Sequence, residues 1–150
     1  MNCKVEKSKI KGKINCPSNK SYTHRGIFLA SLAGNNSKVE NVLLSADTKA
    51  TIEACKKFGA VIEVNDSDVI VKKSIKIGIN VPKINTENSG TTMRIAIGIA
   101  SLFSEEIILT GDTSLQKRPM QPLLDALSSI GAKCSSTNGN PPIKIKGSII

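Results

Sequence analysis

The sequence predicts an α/β fold made of a repeated β-α-β-α-β-β unit, with apolar helices buried inside and sheets outside. Three observations lead there. Stretches of strict alternation and stretches of helical periodicity take turns along the 150 residues. The order of elements then recurs with matched residues: Thr23 and Arg25 correspond to Thr92 and Arg94, Ala46-Asp47-Thr48 to Gly111-Asp112-Thr113, and Phe58-Gly59-Ala60 to Ile130-Gly131-Ala132. The period is roughly seventy residues, longer than the usual solenoid repeats. Finally, the first helix of each unit is apolar on nearly all sides, and a helix without a polar face has to be buried.

In chain order, residues 3–14 alternate, with Lys7, Lys9, Lys11 and Lys13 on one face, and predict a half-exposed strand with a lysine-protected edge. A helix is expected over 20–33, stopped by Gly34-Asn35-Asn36, and a strand over 38–44. Ser45-Ala46-Asp47 caps a second helix over 48–58, closed by Gly59. Residues 60–64 and 69–73 read as a hairpin. The second unit opens with a strand over 75–81, broken by Pro82, and an apolar helix over 95–103 introduced by 88–94. A strand over 106–109 follows, then a helix over 120–130 introduced by Pro119 and ended by Gly131, and a hairpin of 133–135 with 143–146. Small residues such as Ala30, Ser31, Gly98 and Ala100 allow close helix packing, and the first-helix N-termini of both units should emerge at one end.

Composition narrows the function classes. The length suits one domain or one large piece of one, and with no Trp, one Tyr and three Phe its core must be aliphatic. A formal charge of +9 points to anionic partners, either nucleic acid or small phosphorylated and carboxylated metabolites. Scattered basic residues and the scarcity of stacking aromatics argue against single-stranded nucleic acid. Cys3, Cys16, Cys55 and Cys134 form no Cys-x-x-Cys pair, and the one histidine cannot complete a zinc site, so four reduced cysteines packed as small hydrophobes and no metal are expected. Lysines interrupt the first thirteen residues and the longest apolar run, 95–103, is too short to span a bilayer, so the expectation is a soluble, cytoplasmic protein with no membrane partner.

Candidate chemistry gathers at helix starts, where free N–H groups and the helix dipole attract anions. Lys20, Ser21 and Arg25 add donors at the first such mouth; Ser89, Gly90, Thr91 and Arg94 add them at the second. Gly90, lacking a Cβ, lets the backbone approach a ligand. The competing explanation is ordinary capping by Ser21 and Ser89 with solvated cations; the duplication favours binding. In the stretch 111–120, Arg118 offers a guanidinium fork for phosphate at the start of a third helix, with Pro119 at its first position. Asp47 and Asp112 read as helix caps, and His24 as a packing or hydrogen-bonding residue rather than a base.

Pro17-Ser18-Asn19-Lys20-Ser21-Tyr22-Thr23-His24-Arg25, then Asn88-Ser89-Gly90-Thr91-Thr92-Met93-Arg94, then Gly111-Asp112 with Lys117-Arg118-Pro119 resemble the enolpyruvyltransferase family, and within it the 3-phosphoshikimate 1-carboxyvinyltransferases (EPSP synthases). The motifs stand in the right order over 14–147; Pro141-Pro142-Ile143 and Gly147 also match. The resemblance implies an inside-out α/β barrel and transfer of the enolpyruvyl group of phosphoenolpyruvate to the 5-hydroxyl of shikimate 3-phosphate, without metal or organic cofactor. It implies that Lys20, Ser21 and Arg25 hold shikimate 3-phosphate, that Lys20, Gly90 and Arg118 hold phosphoenolpyruvate, and that Asn88, Ser89 and Thr91 support them. Asn19 and Ile95 depart from the family, which usually has Ser at the first position and Pro or Leu at the second.

Family members are more than twice as long, in two domains. The chain is therefore expected to be an N-terminal fragment with two of three units: 1–13 a strand that belongs with the second domain, 14–74 unit one and 75–147 unit two. The family's Ser-Ser-Gln motif and the catalytic acids and lysine of the second domain do not occur in it, so no catalytic residue is assigned and little or no activity is expected of it alone. A missing third unit would uncover apolar surface worth on the order of 10 kcal/mol at roughly 25 cal/mol per Å², which predicts self-association or rearrangement. Two rivals are set aside. The UDP-N-acetylglucosamine enolpyruvyltransferases have Lys-Asn where Lys20-Ser21 stands and a loop cysteine near Thr113. A basic nucleic-acid-binding module would need a basic stripe along a sheet, which Lys7, Lys9, Lys11 and Lys13 could supply.

Overall fold

Each helix begins where a side chain satisfies its free amides. In the structure, a computed structural model describing residues 3–9, 11–34, 36–81 and 83–147, α1 (Lys20–Leu32) starts behind Asn19, whose Oδ1 accepts the Tyr22 amide at 2.9 Å. After β1 (Ser37–Val39), α2 (Ala46–Lys57) is opened by a capping box between Ser45 and Thr48. It is closed at Gly59, φ +95°, with the Ala60 amide donating back to the Cys55 carbonyl at 3.0 Å. The hairpin β2 (Val61–Asn65) and β3 (Asp68–Lys73) follows, then β4 (Lys83–Asn85). Ser89 caps α3 (Gly90–Ala100), accepting the Thr92 amide. β5 (Ile107–Thr110), a single 3-10 turn (Leu115–Lys117), α4 (Gln121–Ser129), β6 (Lys133–Thr137) and β7 (Asn140–Lys146) complete the chain. α4 closes as α2 does, with Gly131 at φ +107° and the Ala132 amide on the Leu127 carbonyl at 3.1 Å.

The elements form two sheets, β1-β3-β2, all antiparallel, and β4-β5-β7-β6, in which only the β4–β5 pair is parallel. β7 alternates buried and exposed residues, the mark of a sheet with one face on the core and one in water. One aliphatic cluster runs through both units, from Ile27, Ile52, Val69 and Val71 to Ile84, Met93, Ile97, Leu109 and Ile145, with Phe58 and Phe103 joining the units at 5.4 Å between ring centroids. Helices inside and sheets outside is the predicted arrangement.

Several expectations are corrected. The described residues of 3–9 and 11–19 form no strand; Ile14 is 88% exposed. Alternation alone does not make a strand, because backbone donors and acceptors need a neighbour. Lys13-Ile14-Asn15 recurs as Lys83-Ile84-Asn85 at the same distance before the helix cap, and that copy is β4, with Ile84 1% exposed, because β5 lies beside it. The four lysines therefore do not lie on a strand of either sheet. The strand expected over 75–81 is a loop turning at Gly78, φ +87°, tied by the Ile75 amide to the Ser31 carbonyl and the Lys76 amide to the Phe58 carbonyl. The strand expected over 38–44 is confined to β1, since beyond it the Val42 amide bonds the Ser67 carbonyl and the Leu43 amide turns to the Thr23 hydroxyl. It is Pro122, not Pro119, that lies in the first turn of α4. α1 is not buried all round: Leu29 is 66% and Leu32 47% exposed. Nor are all four cysteines packed: they are free, but Cys3 and Cys16 are exposed and Cys134 half-buried.

Candidate anion-binding site

Three helix N-termini meet at one end of the molecule. Lys20, the first residue of α1, places Nζ 2.8 Å from Oδ2 of Asp47 in the first turn of α2. Thr51 of α2 lies 2.7 Å, oxygen to oxygen, from Thr92 of α3, and Thr92 lies 2.6 Å from Ser89. The Lys20–Asp47 pair is about half exposed, so it adds little stability and mainly holds an ammonium group at the shared mouth.

The second wall is the segment after β5. The Asp112 amide donates to the Glu87 carbonyl at 2.9 Å and the Thr86 amide to the Thr110 carbonyl at 2.8 Å, which ties this segment to the loop before α3. Asp112 Oδ1 accepts the Leu115 amide at 2.7 Å and so starts the 3-10 turn. Leu115, fully buried, wedges between Gly111 and Gly90: a Cβ on Gly111 would lie 2.3 Å from Leu115 Cδ2 and 2.4 Å from the Glu87 carbonyl, so only glycine fits there. The turn delivers Arg118, whose Nη2 donates to Asn88 Oδ1 at 2.5 Å.

Two guanidinium groups therefore converge over Gly90. A Cβ placed on Gly90 would stand 3.0 Å from Arg94 Nη1 and 3.1 Å from Arg118 Nη1. Among the described residues neither is paired with a carboxylate. Like charges this close, above the N-terminus of a buried helix, repel unless an anion lies between them.

The structure thus brings Gly90, Asn88, Ser89 and Arg118 together, with Lys20 at the adjoining mouth. Thr91 is exposed at the same helix start. Arg118 reaches the site from the end of the 3-10 turn rather than from the start of a helix. Ser21 and Arg25 are tied to each other: Arg25 donates to the Ser21 carbonyl at 3.2 Å, and its guanidinium covers the Tyr22 ring at 4.9 Å. Ser21 does not cap α1; Asn19 does. Arg94, a donor at the second mouth to which the resemblance assigns no ligand, is one of the two converging guanidiniums. Sequence reasoning missed Thr51, Leu115 and the pairing of Asp47 with Lys20; the parallel between Asp47-Thr48 and Asp112-Thr113 was the only signal. Among the described residues no group of acidic, histidine and cysteine side chains could hold a metal, and no helix is long and apolar enough to cross a membrane.

Fold and site define a repeated α/β domain of the inside-out kind, in which three helix N-termini meet beside two guanidinium groups. The family model for EPSP synthase (3-phosphoshikimate 1-carboxyvinyltransferase) matches residues 5–150. A 3-phosphoshikimate 1-carboxyvinyltransferase of Nitrosopumilus maritimus is 79% identical over 149 residues, covering 99% of this chain and 35% of that protein. One from Methanococcus maripaludis (strain C7) is 49% identical over 142 residues, covering 92% and 33%. A solved EPSP synthase from Acinetobacter baumannii superposes with a TM-score of 0.83 at 31% identity, covering 91% of this chain and 32% of that one. The chain belongs to the EPSP synthase family, and it spans about a third of the length of these relatives.

Proposed function

We propose that the mouth around Gly90 is the phosphoenolpyruvate side, and the Lys20 mouth the shikimate 3-phosphate side, of an enolpyruvyl-transfer site. The observation that carries this is the convergence of Arg94 and Arg118 over Gly90 with no carboxylate partner among the described residues. In the reaction the 5-hydroxyl oxygen adds to C2 of phosphoenolpyruvate while a proton goes to C3. The tetrahedral adduct then loses phosphate and a methyl proton, restoring the double bond. The residues of this chain bind and orient. Gly90 and Arg118 hold phosphoenolpyruvate, Arg118 being steadied by Asn88; Ser89 sets the helix mouth, with Thr91 beside it; Lys20 stands between the two anions; Ser21 and Arg25 hold shikimate 3-phosphate once Arg25 leaves the Tyr22 ring. Fixed cations of this kind stabilise the charge that moves to the departing phosphate.

Isothermal titration of this chain with shikimate 3-phosphate and with phosphoenolpyruvate tests the assignment. Lys20→Ala should weaken both ligands, Arg118→Ala phosphoenolpyruvate and Arg25→Ala shikimate 3-phosphate, each by at least about tenfold. Heats equal to wild type in all three variants would sink it.

The self-association expected from the sequence has a candidate face. Arg25, Phe28, Leu29, Leu32 and Ile95 line a shallow apolar cavity of about 200 Å³ on the open side of α1. Its occupant in solution is proposed to be a second copy of this chain.

A further inference from the structure

His24 is a buried titratable group that substrate binding does not use. It is 1% exposed, and its Nδ1 lies 2.6 Å from Thr51 Oγ1. From there the contacts continue to Thr92 Oγ1 at 2.7 Å, and from Thr92 to Ser89 Oγ at 2.6 Å and the Asp47 carbonyl at 3.4 Å. Among the described residues the other ring nitrogen, Nε2, is buried without a hydrogen-bond partner. One row of polar atoms thus crosses from α1 through α2 to the cap of α3.

Counting protons gives the row a direction. A hydroxyl has one proton to donate, and the Asp47 carbonyl can only accept. If Nδ1–H of His24 donates to Thr51, then Thr51 donates to Thr92, Thr92 to the Asp47 carbonyl and Ser89 to Thr92, so every proton in the row has an acceptor. The atom left over is the Nε2 lone pair. In the reverse direction Thr51 donates to Nδ1, the neutral ring carries its proton on Nε2, and a buried N–H is stranded.

We propose that His24, as the Nδ1–H tautomer, is a positioning residue: through Thr51 it fixes Thr92 and Ser89, and so the turn that presents the Gly90 amide to the anion. The anion part rests on the function proposed above. Protonation would put a second N–H on Nε2 with nothing to accept it. Burial opposes the charge, Asp47 of α2 favours it in part, Lys20 of α1 opposes it, and the α3 hydroxyl of Thr92 is linked to the ring through Thr51.

Nuclear magnetic resonance on this chain, with inorganic phosphate as the probe, tests the proposal. The ring-nitrogen shifts should report Nδ1–H, and phosphate should move the Gly90 amide. Thr51→Val, which keeps the shape and removes the hydroxyl, should weaken phosphate about five- to tenfold. His24→Asn, whose amide nitrogen can stand where Nδ1 does, should stay within about twofold of wild type, while His24→Gln should match Thr51→Val. The double variant His24→Gln/Thr51→Val should be no weaker than Thr51→Val, because both cut one row. Slow amide exchange at Val71 and Leu109 would show that each variant is folded. An Nε2–H tautomer, wild-type affinity in Thr51→Val, or equal losses in His24→Asn and His24→Gln would overturn the proposal. A wild-type chain that binds no phosphate refutes the anion reading instead. The positioning role is then decided by the ring tautomer and by whether Thr51→Val moves the free Gly90 amide; an unmoved amide refutes it.

Discussion

Gly90 has no Cβ between Arg94, whose Nη1 donates to the Gly90 carbonyl at 3.4 Å, and Arg118, and a methyl group there would crowd both. In Gly90→Ala that methyl stands about 3 Å from both guanidinium groups. Both are ends of flexible side chains, so they can yield and the fold should persist. The anion loses its place: phosphoenolpyruvate affinity should fall by about tenfold or more, with the melting temperature within a few degrees of wild type. Unchanged affinity by titration would show that the anion binds elsewhere. His24 makes a pH prediction. Burial lowers its pKa from the ordinary 6.5, so the folded state favours the neutral ring. The unfolded chain then binds the extra proton first, and stability is complete above about pH 6.5 and declines as the pH falls from there toward the lowered value. Denaturant titrations of His24→Asn should lack that part of the slope. Cys55, whose thiol burial pushes up to about 12, should resist thiol reagents until the protein unfolds, while Cys3 and Cys16 label at once.

At the level of elements, the helix ends are the parts most directly written into the sequence. Ser45, Ser89, Gly59 and Gly131 do what their residue types lead one to expect, because capping is decided within one turn. Asn19 is the exception: a departure from the family pattern, it is the cap of α1. Asn19→Ala should cost about 1 kcal/mol in chemical denaturation. Ser89→Ala should cost more, since Ser89 also bonds Thr92 in the buried row. An Asn19→Ala variant as stable as wild type would mean that water or the Ser21 hydroxyl replaces the cap. The strands were less legible. Residues 3–14 and 75–81 alternate as well as β7 does, yet only β7 lies between two partners, β5 and β6.

Over the whole molecule, the open side of α1 is the feature with a consequence in solution. Leu29 and Leu32 are exposed, and a Cβ on Gly98 would meet nothing within 4 Å. Apolar surface of this kind favours association. Sedimentation should show a concentration-dependent dimer that Leu29→Lys shifts toward monomer by at least about tenfold in dissociation constant. A wild-type chain that stays monomeric at every concentration would refute that face. By itself the sequence determined the duplicated unit, the buried α3, the caps of α2 and α3, the glycine stops of α2 and α4, and the identity of the cations at the helix mouths. All of these follow from periodicity or from contacts a few residues long. The tertiary structure alone decided which alternating stretches became strands, that Arg118 meets Arg94 over Gly90, that Arg25 turns away onto Tyr22, and that His24 is joined to the cap of α3. Each of these depends on a partner supplied by a distant part of the chain, and local pattern carries no information about which partner arrives.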